Sequence, residues 1–437
     1  MFTKILIANR GEIAIRIIRA CKEMGISTVA VYSQADKESL HVALADQEVC
    51  IGGARAEESY LDMKRIVSAA VATGAQAIHP GYGFLAENAG FSAMCKQYGV
   101  VFIGPRAQVI SNMGDKDAAR RLMQANGVPV TPGTDILRDA EEAKTAAQAI
   151  GYPVLIKASA GGGGKGIRLV NRPEELETAF RTASQEAEKA FGDGRMYLEK
   201  YLAPVKHIEV QLLADKAGHI VCLGERECSI QKHNQKLIEE SPSPAVSPEA
   251  RQKLMETAAL AAKAAGYENA GTVEFLMDKA GGFYFMEMNT RLQVEHPVSE
   301  LVTGVDIVKW QIRIAAGVPL DFRQEDIQVS GAAIECRINA LGAGKVGFFH
   351  TPGGPWVRFD TFLYQGYDIP PYYDSMLGKM IVYSSTREEA IRKMQSALCE
   401  LVIGGTSNNI ESQIEIIRDS RFKSGDYYTD FMQRFGS

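Results

Sequence analysis

The sequence predicts a mixed fold in which an α/β part is followed by α+β parts. Strand and helix patterns alternate over residues 1–113, a glycine-rich stretch joins two strands at 159–167, and two alternating runs form a hairpin at 271–289. Alternating strands and helices predict a parallel sheet covered by helices, whereas hairpins are typical of α+β units. A chain of 437 residues can form roughly two to four such domains.

The first 113 residues carry the α/β pattern. Gly25 follows the first helix and suits a left-handed helix end. The first turn, Asn9 to Glu12, contains a single glycine, so it lacks the dinucleotide fingerprint and we expect no NAD site. The unit is therefore Rossmann-like only in the order of its elements. The predicted strands are 4–8, 27–32, 77–79 and 100–103, and the predicted helices are 12–24 and 63–73.

The remaining residues divide by composition and periodicity into four further segments. Long strands at 207–214 and 220–230 mark a central sheet, and Ser247 followed by Pro248 marks the start of a helix. In chain order the predicted segments are a connector at 114–137, a small α+β unit at 138–203, the sheet unit at 204–330 and a C-terminal α+β unit at 331–437.

Composition and charge exclude several classes of protein. The chain is 46% hydrophobic and 23% charged, its net charge is −5 and its pI is near 5.9, so nothing favours nucleic-acid binding. No apolar run reaches the roughly 18 residues of a membrane span, and the N-terminus lacks a signal-peptide pattern. Scattered cysteines, odd in number and without a C-x-x-C pair, indicate neither a zinc site nor a disulfide framework, so we expect a protein of the reducing cytoplasm. The seven are Cys21, Cys50, Cys95, Cys222, Cys228, Cys336 and Cys399.

The stretch SAGGGGKGI at 159–167 is the first candidate site. It contains G-x-G-x-x-G, but a strand rather than a helix follows, which excludes a Rossmann turn. Lys165 precedes Gly166 rather than Ser or Thr, which excludes a Walker A loop. A glycine loop between strands can fold over nucleotide phosphates, because backbone N–H groups approach closely without a Cβ. The alternative is a flexible surface hairpin.

The hairpin at 271–289 carries the second candidate site. With the turn centred between Ala280 and Gly281, Glu274 falls opposite Glu287, and Asn289 points to the same face. Two facing carboxylates repel each other unless a positive group lies between them, and carboxylates with an amide oxygen suit Mg²⁺. The alternative is a register shifted by one residue, which would leave one glutamate in solvent.

The run NTRLQVEHP at 289–297 follows this hairpin directly. If the chain is extended, Arg291, Gln293 and Glu295 share a face. Arginine suits an anionic substrate, and Glu295 could act as a general base beside it. A salt-bridged surface strand is the alternative. Further candidates are Lys232, His233 and Lys236 upstream, and Arg337 downstream, which is either a paired buried charge or a functional cation.

Eight motifs, in the same order along almost the whole chain, resemble those of the biotin carboxylase family. They are GYGFLAEN (81–88), MGDK (113–116), KASAGGGGKG (157–166), EKYL (199–202), HIEVQ (207–211), MEMNTRLQVEHPV (286–298), ECRINA (335–340) and PPYYDSM (370–376). The resemblance implies an ATP-grasp fold with a Rossmann-like N-terminal domain, a mobile glycine-loop lid and a C-terminal domain that completes the site. It implies a ligase that uses MgATP and bicarbonate to form carboxyphosphate and then carboxylates N1′ of biotin.

The resemblance also assigns roles to residues. Glu295 would deprotonate bicarbonate, Arg337 would stabilise the biotin anion, and Lys236 and Arg291 would complete the catalytic set. Bicarbonate would contact Lys236, Arg291, Gln293, the Val294 backbone and Glu295, and biotin would contact Tyr82, Gly83, Gln293 and Arg337. Mg²⁺ or Mn²⁺ would bind Glu274, Glu287 and Asn289. The implied ATP contacts are Lys116, Lys157, Gly161, Gly162, Gly163, Gly164, Lys165, Gly166, Glu199, Leu202, His207, Gln231, Asn234 and Leu276.

The sequence departs from the family pattern in two places. After ECRINA it reads LGAGKVGFFHTPGG (341–354), which is shorter than the family's loop and lacks its Pro-Ser-(Pro/Ala)-Gly turn. Asn234 stands where the family often has His.

The partners implied are a separate biotin carboxyl carrier protein and a carboxyltransferase, because no biotinylation signal follows. A homodimer is implied through Arg19 and Glu23, which otherwise form an ordinary i,i+4 pair. Acetyl-CoA carboxylase is the expected complex, and a pyruvate or other acyl-CoA carboxylase is the alternative. Two further alternatives are an ATP-grasp enzyme with another acceptor and an inactive or engineered nucleotide-binding variant.

Overall fold

The computed structural model describes residues 1–160 and 166–435. The first elements are β1 (Lys4–Ile7), α1 (Gly11–Glu23), β2 (Ser27–Ser33), α2 (Leu40–Leu44), β3 (Gln47–Gly52), α3 (Met63–Thr73), β4 (Ala77–His79), α4 (Ala89–Gln97) and β5 (Val101–Phe102). The five strands form a parallel sheet in the order β3-β2-β1-β4-β5, as the alternating pattern predicts. Helix α3 and strand β4 have the predicted bounds, whereas β3, α2 and α4 were not predicted.

A small unit with its own core follows. The next elements are α5 (Ala107–Gly114), α6 (Lys116–Ala125), α7 (Ala140–Ile150), β6 (Val154–Ala158), β7 (Ile167–Val170), α8 (Pro173–Phe191) and β8 (Met196–Lys200). Three antiparallel strands in the order β7-β6-β8 pack against α7 and α8, and the buried apolar residues of this core all lie between Leu137 and Leu198. The glycine stretch lies between β6 and β7, and its residues 161–165 fall outside the described part of the chain.

An eight-stranded antiparallel sheet dominates the rest of the molecule. Its strands are β9 (Lys206–Ala214), β10 (Ile220–Lys232), β11 (Gln235–Ser241), β12 (Asn269–Met277), β13 (Phe283–Asn289), β14 (Ala332–Asn339), β16 (Val357–Thr361) and β17 (Met376–Ser384), in the order β13-β12-β9-β10-β11-β14-β17-β16. A two-stranded sheet is formed by β15 (Phe348–His350) and β18 (Val402–Gly404). The helices are α9 (Pro248–Ala265), α10 (His296–Thr303), α11 (Ile307–Ala315), α12 (Arg387–Glu400), α13 (Ile410–Arg418) and α14 (Ser420–Ser424).

This large sheet brings distant parts of the sequence together. Strand β11 pairs with β14, so the sheet continues across the predicted segments 204–330 and 331–437. Helix α9 begins as predicted, with the Ser247 hydroxyl accepting from the Ala250 N–H and Pro248 in the first turn. No helix among the described residues is both long and apolar enough to span a membrane. The segment boundaries given above stay predictions.

Candidate active site

A cavity of about 870 Å³ lies where the three parts of the molecule meet. The N-terminal turn after β1, the three-stranded sheet and one face of the large sheet all contribute to its walls. Every residue that the structure describes and to which the resemblance assigns a catalytic or binding role lines this cavity, except Glu295, which is fully buried, and Gly166. Lys232 and His233 are exposed and lie outside the lining. The candidates from distant motifs are therefore neighbours in space.

One wall carries two lysines, each held by a carboxylate. Lys116 begins helix α6, and its Nζ lies 3.0 Å from Oε2 of Glu287. Burial alone would lower the pKa of Lys116, but Glu287 outweighs burial and the pKa is raised. Lys157, in the central strand of the small sheet, donates to Glu199 on the neighbouring strand β8. Both lysine side chains line the cavity, where they could contact phosphate oxygens.

The C-terminal end of the glycine loop is constrained by its backbone and its surroundings. Gly166 has a φ of +72°, and a Cβ at this position would come within 2.9 Å of the Ala158 Cβ. Both observations favour glycine here, because other residues rarely adopt this backbone conformation and the space is filled. The predicted phosphate contacts of Gly161, Gly162, Gly163, Gly164 and Lys165 lie outside the described residues.

The predicted pairing of two glutamates across the hairpin is found in the structure. Glu274 on β12 is the cross-strand partner of Glu287 on β13. A bulge follows, and Phe275 pairs with Phe285, so the turn centre lies nearer the N-terminus than the predicted point between residues 280 and 281. The bulge absorbs the difference, which leaves the register of the glutamate pair as predicted.

Glu274 is surrounded by hydrogen-bond and ion-pair donors. Lys236 Nζ lies 3.0 Å from its Oε1, and His207 Nε2 lies 2.8 Å from its Oε2. The side-chain amides of Asn289 and Gln293 also donate to Oε1, at 2.8 and 2.9 Å. Burial would raise the pKa of Glu274, but Lys236 and His207 outweigh burial and hold it well below its ordinary value. The group is therefore a carboxylate at neutral pH.

The donor set around this pair fits a hard divalent cation. Glu274 and Glu287 supply carboxylate oxygens on one face, and Asn289 adds an amide oxygen that accepts from Arg291 at 3.0 Å. Glu287 keeps lone pairs free, because it is about one-third exposed and contacts only Lys116 by an ion pair among the described residues. Magnesium takes one or two carboxylates together with substrate phosphates, so these oxygens would suit it.

Glu295 has no solvent exposure and sits between two cations. Lys236 Nζ lies 2.6 Å from its Oε1, and an Arg337 nitrogen lies 2.9 Å from its Oε2. Burial would raise the pKa of Glu295, but Lys236, Arg337 and then Arg226 outweigh burial, and the pKa lies well below its ordinary value. Glu295 is therefore an ionised proton acceptor directly behind Lys236 and Arg337, which line the cavity.

The prediction of an extended strand over Arg291, Gln293 and Glu295 is wrong. After β13 ends at Asn289 the chain turns, and helix α10 begins at His296 with a proline in its first turn. The fixed φ of Pro297 favours a helix start, which overrides the alternating pattern before it. Gln293 and Glu295 are buried nonetheless, so the surface-strand alternative is also excluded.

Arg291 is held in place by oxygen acceptors on three sides. Its Nε donates to Glu87 at 2.7 Å, and its two terminal nitrogens donate to Gln293 at 2.7 Å and to Asn289 at 3.0 Å. The guanidinium is about one-fifth exposed and lines the cavity. It therefore presents a fixed planar cation to any anion that enters.

The cavity lining also includes Tyr82, Gly83 and Arg337. Arg337 in β14 donates its Nε to Glu239 at 2.7 Å as well as contacting Glu295, so it is both a paired charge and a cavity cation. The chain that follows it is held to residues 407–408, where the Leu341 N–H donates to Ser407. The short loop after ECRINA thus leaves Arg337 beside Glu295.

Several residues that surround the site were missed by the sequence analysis. Glu209 and Arg226 pair at 2.5 Å without solvent exposure. Glu209 stands between Ile208 and Val210, which is a signal that could have found it, whereas Arg226 lies in the charged run Glu225–Glu227 and had no such signal. Glu87 lies within the GYGFLAEN motif, yet nothing local marks it as a partner of Arg291. Glu12, Glu239 and Lys379 also had no local signal, because their partners lie far away in the sequence.

The architecture places the chain in a class. A small glycine-loop unit that shares one cavity with an antiparallel sheet carrying paired carboxylates defines an ATP-grasp protein, as the resemblance implied. Residues 1–110 match the family model "Biotin carboxylase, N-terminal domain", and residues 335–434 match "Biotin carboxylase C-terminal domain". Residues 115–323 match "Carbamoyl-phosphate synthase L chain, ATP binding domain".

Relatives match this chain over its whole length, so the chain belongs to the biotin carboxylase family. Biotin carboxylase 1 of Bacillus subtilis (strain 168) is 52% identical over 445 residues, which cover 100% of this chain and 99% of the relative. The biotin carboxylase of Haemophilus influenzae is 50% identical, and a pyruvate carboxylase subunit of Methanothermobacter thermautotrophicus is 51% identical. The comparison with the Haemophilus influenzae protein covers 99% of this chain and 99% of the relative. The comparison with the Methanothermobacter thermautotrophicus subunit covers 100% of this chain and 90% of the relative. The family resemblance predicted from the eight motifs is confirmed.

Solved structures resemble this chain over almost its whole length. A biotin carboxylase–βγ-ATP complex from Campylobacter jejuni has a TM-score of 0.97 at 48% identity and covers 99% of both chains. The biotin carboxylase domain dimer of the Hydrogenobacter thermophilus 2-oxoglutarate carboxylase, with MgADP, ADP and bicarbonate, has a TM-score of 0.95 at 49% identity. That comparison covers 99% of this chain and 98% of the neighbour.

Proposed function

We propose that this protein is a biotin carboxylase that uses ATP and bicarbonate to carboxylate biotin. The observation that carries the proposal is the environment of Glu295, a buried carboxylate held between Lys236 and Arg337, two cations that line the cavity. Family membership and the ligands of the Hydrogenobacter thermophilus domain, MgADP and bicarbonate, support it.

ATP would occupy the end of the cavity lined by the small sheet. Lys116 and Lys157 would turn from their glutamates toward phosphate oxygens, and the glycine loop 161–166 would cover them. The other implied ATP contacts also line the cavity; they are Glu199, Leu202, His207, Gln231, Asn234 and Leu276. When bound at Glu274, Glu287 and Asn289, Mg²⁺ or Mn²⁺ would supply positive charge to the phosphates as charge develops on them.

Bicarbonate would bind between Arg291, Lys236, Gln293 and the backbone of Val294. Glu295 takes the proton of the bicarbonate hydroxyl, and the oxygen then attacks the γ-phosphorus to give carboxyphosphate and ADP. A carboxylate with so low a pKa is a weak base in the free protein. The incoming anion, however, draws Lys236 onto itself and adds negative charge beside Glu295, so the proton affinity of Glu295 rises once substrate is bound.

Biotin would accept the carboxyl group at the Tyr82 end of the cavity. Tyr82, Gly83 and Gln293 would hold the ureido ring, and Arg337 would offset the negative charge that forms when N1′ loses its proton. Carboxyphosphate hydrolyses readily, so the step also needs water to be excluded. A lid formed by the glycine loop would meet this need.

The partners of this protein are inferred from the proposed reaction. A biotin carrier protein would present the biotin, and a carboxyltransferase would pass the carboxyl group on, with acetyl-CoA carboxylase as the expected complex and pyruvate carboxylase as the alternative. A homodimer in the cytoplasm is proposed. The dimer of the Hydrogenobacter domain supports it, and in this chain Arg19 is exposed while Glu23 pairs with Lys309 at 2.5 Å.

The test is carboxyl transfer from labelled bicarbonate to free biotin by the full chain, with MgATP present and ATP hydrolysis followed in parallel. We expect label in biotin and a rate of hydrolysis that rises with both bicarbonate and biotin. If ATP is hydrolysed while biotin takes up no label under any of these conditions, the acceptor is a different molecule and the proposal fails.

A further inference from the structure

Lys379 is a lysine without solvent exposure that the reaction above does not use. It lies on β17, where its cross-strand neighbours are Arg337 on β14 and Asp360 on β16. Its Nζ donates to the backbone carbonyl of Val294 and lies 3.3 Å from Oε1 of Glu12. A buried ammonium is tolerated only when it is paired and hydrogen-bonded, so these contacts constrain both partners strongly.

Glu12 carries the connection into the N-terminal part of the molecule. It lies in the first turn of α1 and is 3% exposed, and the Tyr82 hydroxyl donates to the same Oε1 that faces Lys379. Burial raises the pKa of Glu12, although Lys379 opposes this. The Lys379 ammonium also lies 5.9 Å from the centre of the Tyr82 ring. One carboxylate oxygen therefore joins a cavity tyrosine to a buried lysine of the C-terminal part.

The contacts of Lys379 and Glu12 link the proposed bicarbonate site to the proposed biotin site. Val294 belongs to the bicarbonate side and Tyr82 to the biotin side, and both line the cavity. Holding the Val294 carbonyl also fixes the peptide plane that joins Val294 to Glu295, and with it the origin of the Glu295 side chain. A displacement of about 1 Å between reacting groups can cost roughly a hundredfold in rate.

We propose that Lys379 and Glu12 are positioning residues that fix the bicarbonate side of the cavity relative to the biotin side. Lys379 orients the Val294 peptide, and Glu12 orients Tyr82. This inference rests on the proposed function, since it is that function which gives Val294 and Tyr82 their ligands. A merely structural ion pair between the N-terminal and C-terminal parts would instead affect stability alone.

The experiment measures the KM values for ATP, bicarbonate and biotin in the full chain, with Lys379→Met, Lys379→Arg and Lys206→Met. Lys206 is a matched control, because it is also buried and donates to two backbone carbonyls, those of Gly425 and Tyr427, at 3.1 and 2.6 Å. It does not line the cavity.

We expect Lys379→Met to raise the KM for bicarbonate by about tenfold or more, with the KM for ATP within about twofold of the wild type. Lys379→Arg, which keeps a cation, should recover part of the loss. Lys206→Met should lower the melting temperature without changing any KM. A folded Lys379→Met protein with an unchanged KM for bicarbonate would overturn the proposal.

A second pair of variants tests the link to Tyr82 and does not depend on the folding of Lys379→Met. Glu12→Gln should raise the KM for biotin severalfold in the wild-type background and leave it unchanged in a Tyr82→Phe background, since the hydroxyl it orients is then absent. Additive effects would overturn the proposal. A wild-type protein without biotin-dependent turnover would instead overturn the proposed function, so the two failures are distinguishable.

Discussion

The Nζ of Lys236 lies 2.6 Å from Oε1 of Glu295. Lys236 belongs to strand β11, whereas Glu295 lies in the turn between strand β13 and helix α10. The same ammonium contacts Glu209 at 2.5 Å and Glu274 at 3.0 Å. One cation therefore joins the proposed base to the proposed metal carboxylate. Any anion that binds Lys236 must change the environment of both.

Replacing the proposed base should abolish turnover but leave nucleotide binding intact. Glu295→Gln keeps the shape of the side chain and removes the proton acceptor, so we expect bicarbonate-dependent ATP hydrolysis to fall by roughly 10²–10⁴-fold. Lys236 and Arg337 keep Glu209 and Glu239 as partners, so the fold should persist. The measurements are steady-state ATP hydrolysis and nucleotide affinity by calorimetry. Activity within about tenfold of the wild type would exclude Glu295 as the base.

Glu239, the second carboxylate that contacts Arg337, should make the free energy of unfolding depend on pH near neutrality. Burial raises the pKa of Glu239 to about 7 from 4.5, even though Arg337 lowers it. The folded protein thus binds this proton more tightly than the unfolded chain does. The stabilising contribution is complete below about pH 4.5 and is lost as pH rises through about 7.

Urea unfolding of the wild type and of Glu239→Gln between pH 4.5 and 8 measures this contribution. The stability of the wild type relative to the variant should fall with rising pH, by at most about 3 kcal/mol. Taking the difference between the two proteins removes the titration of other groups. A difference that stays constant over this range would mean that Glu239 is ionised throughout.

The exposed member of the carboxylate pair should control the requirement for metal. Glu287→Gln removes a charged ligand, so we expect the Mg²⁺ concentration for half-maximal ATP hydrolysis to rise by about tenfold or more, and chelation should abolish activity in both proteins. Glu256 on α9 is an exposed glutamate away from the cavity, and Glu256→Gln is the matched control. An unchanged Mg²⁺ dependence would place the metal elsewhere.

The fold and the site differ in how far sequence could predict them. The pairing of Glu274 with Glu287 was predictable because a hairpin is local, although the bulge beside the pair, which compensates for the shifted turn, was not. The extended strand over Arg291 to Glu295 was wrongly predicted, because alternation does not show that Pro297 starts a helix. The contact between Glu12 and Lys379 joins residues far apart in the sequence, and no local pattern predicts which buried charges will meet.

The buried pair of Arg226 and Glu209 should be costly to break. Arg226 has no solvent exposure and also donates to Gln211, Thr272 and Ser299. Arg226→Met leaves a buried carboxylate short of one partner, so we expect a loss of about 3–5 kcal/mol in the free energy of unfolding.

The double variant Arg226→Met with Glu209→Gln should recover most of this loss, since it removes both charges. As a control, Arg392→Met breaks an exposed i,i+4 pair with Glu388 and should cost no more than about 0.5 kcal/mol. Urea unfolding of all four proteins, including the wild type, gives the values. A double variant no more stable than Arg226→Met alone would show that packing, rather than the unpaired charge, causes the loss.

The glycine that ends the loop should be needed for ATP use as well as for folding. Gly166 has a φ of +72° and lies against Ala158, which neighbours Lys157 in β6, so the Cβ of Gly166→Ala must push the loop away from that strand. Gly192 ends helix α8 in the same unit with a φ of +71°, and a Cβ there would meet no atom within 4 Å. Both alanine variants carry a backbone cost of roughly 1–2 kcal/mol, but only Gly166→Ala displaces the loop. We therefore expect similar losses of stability and a severalfold rise in the KM for ATP in Gly166→Ala alone. Equal KM values in the two variants would mean that the loop does not contact the nucleotide.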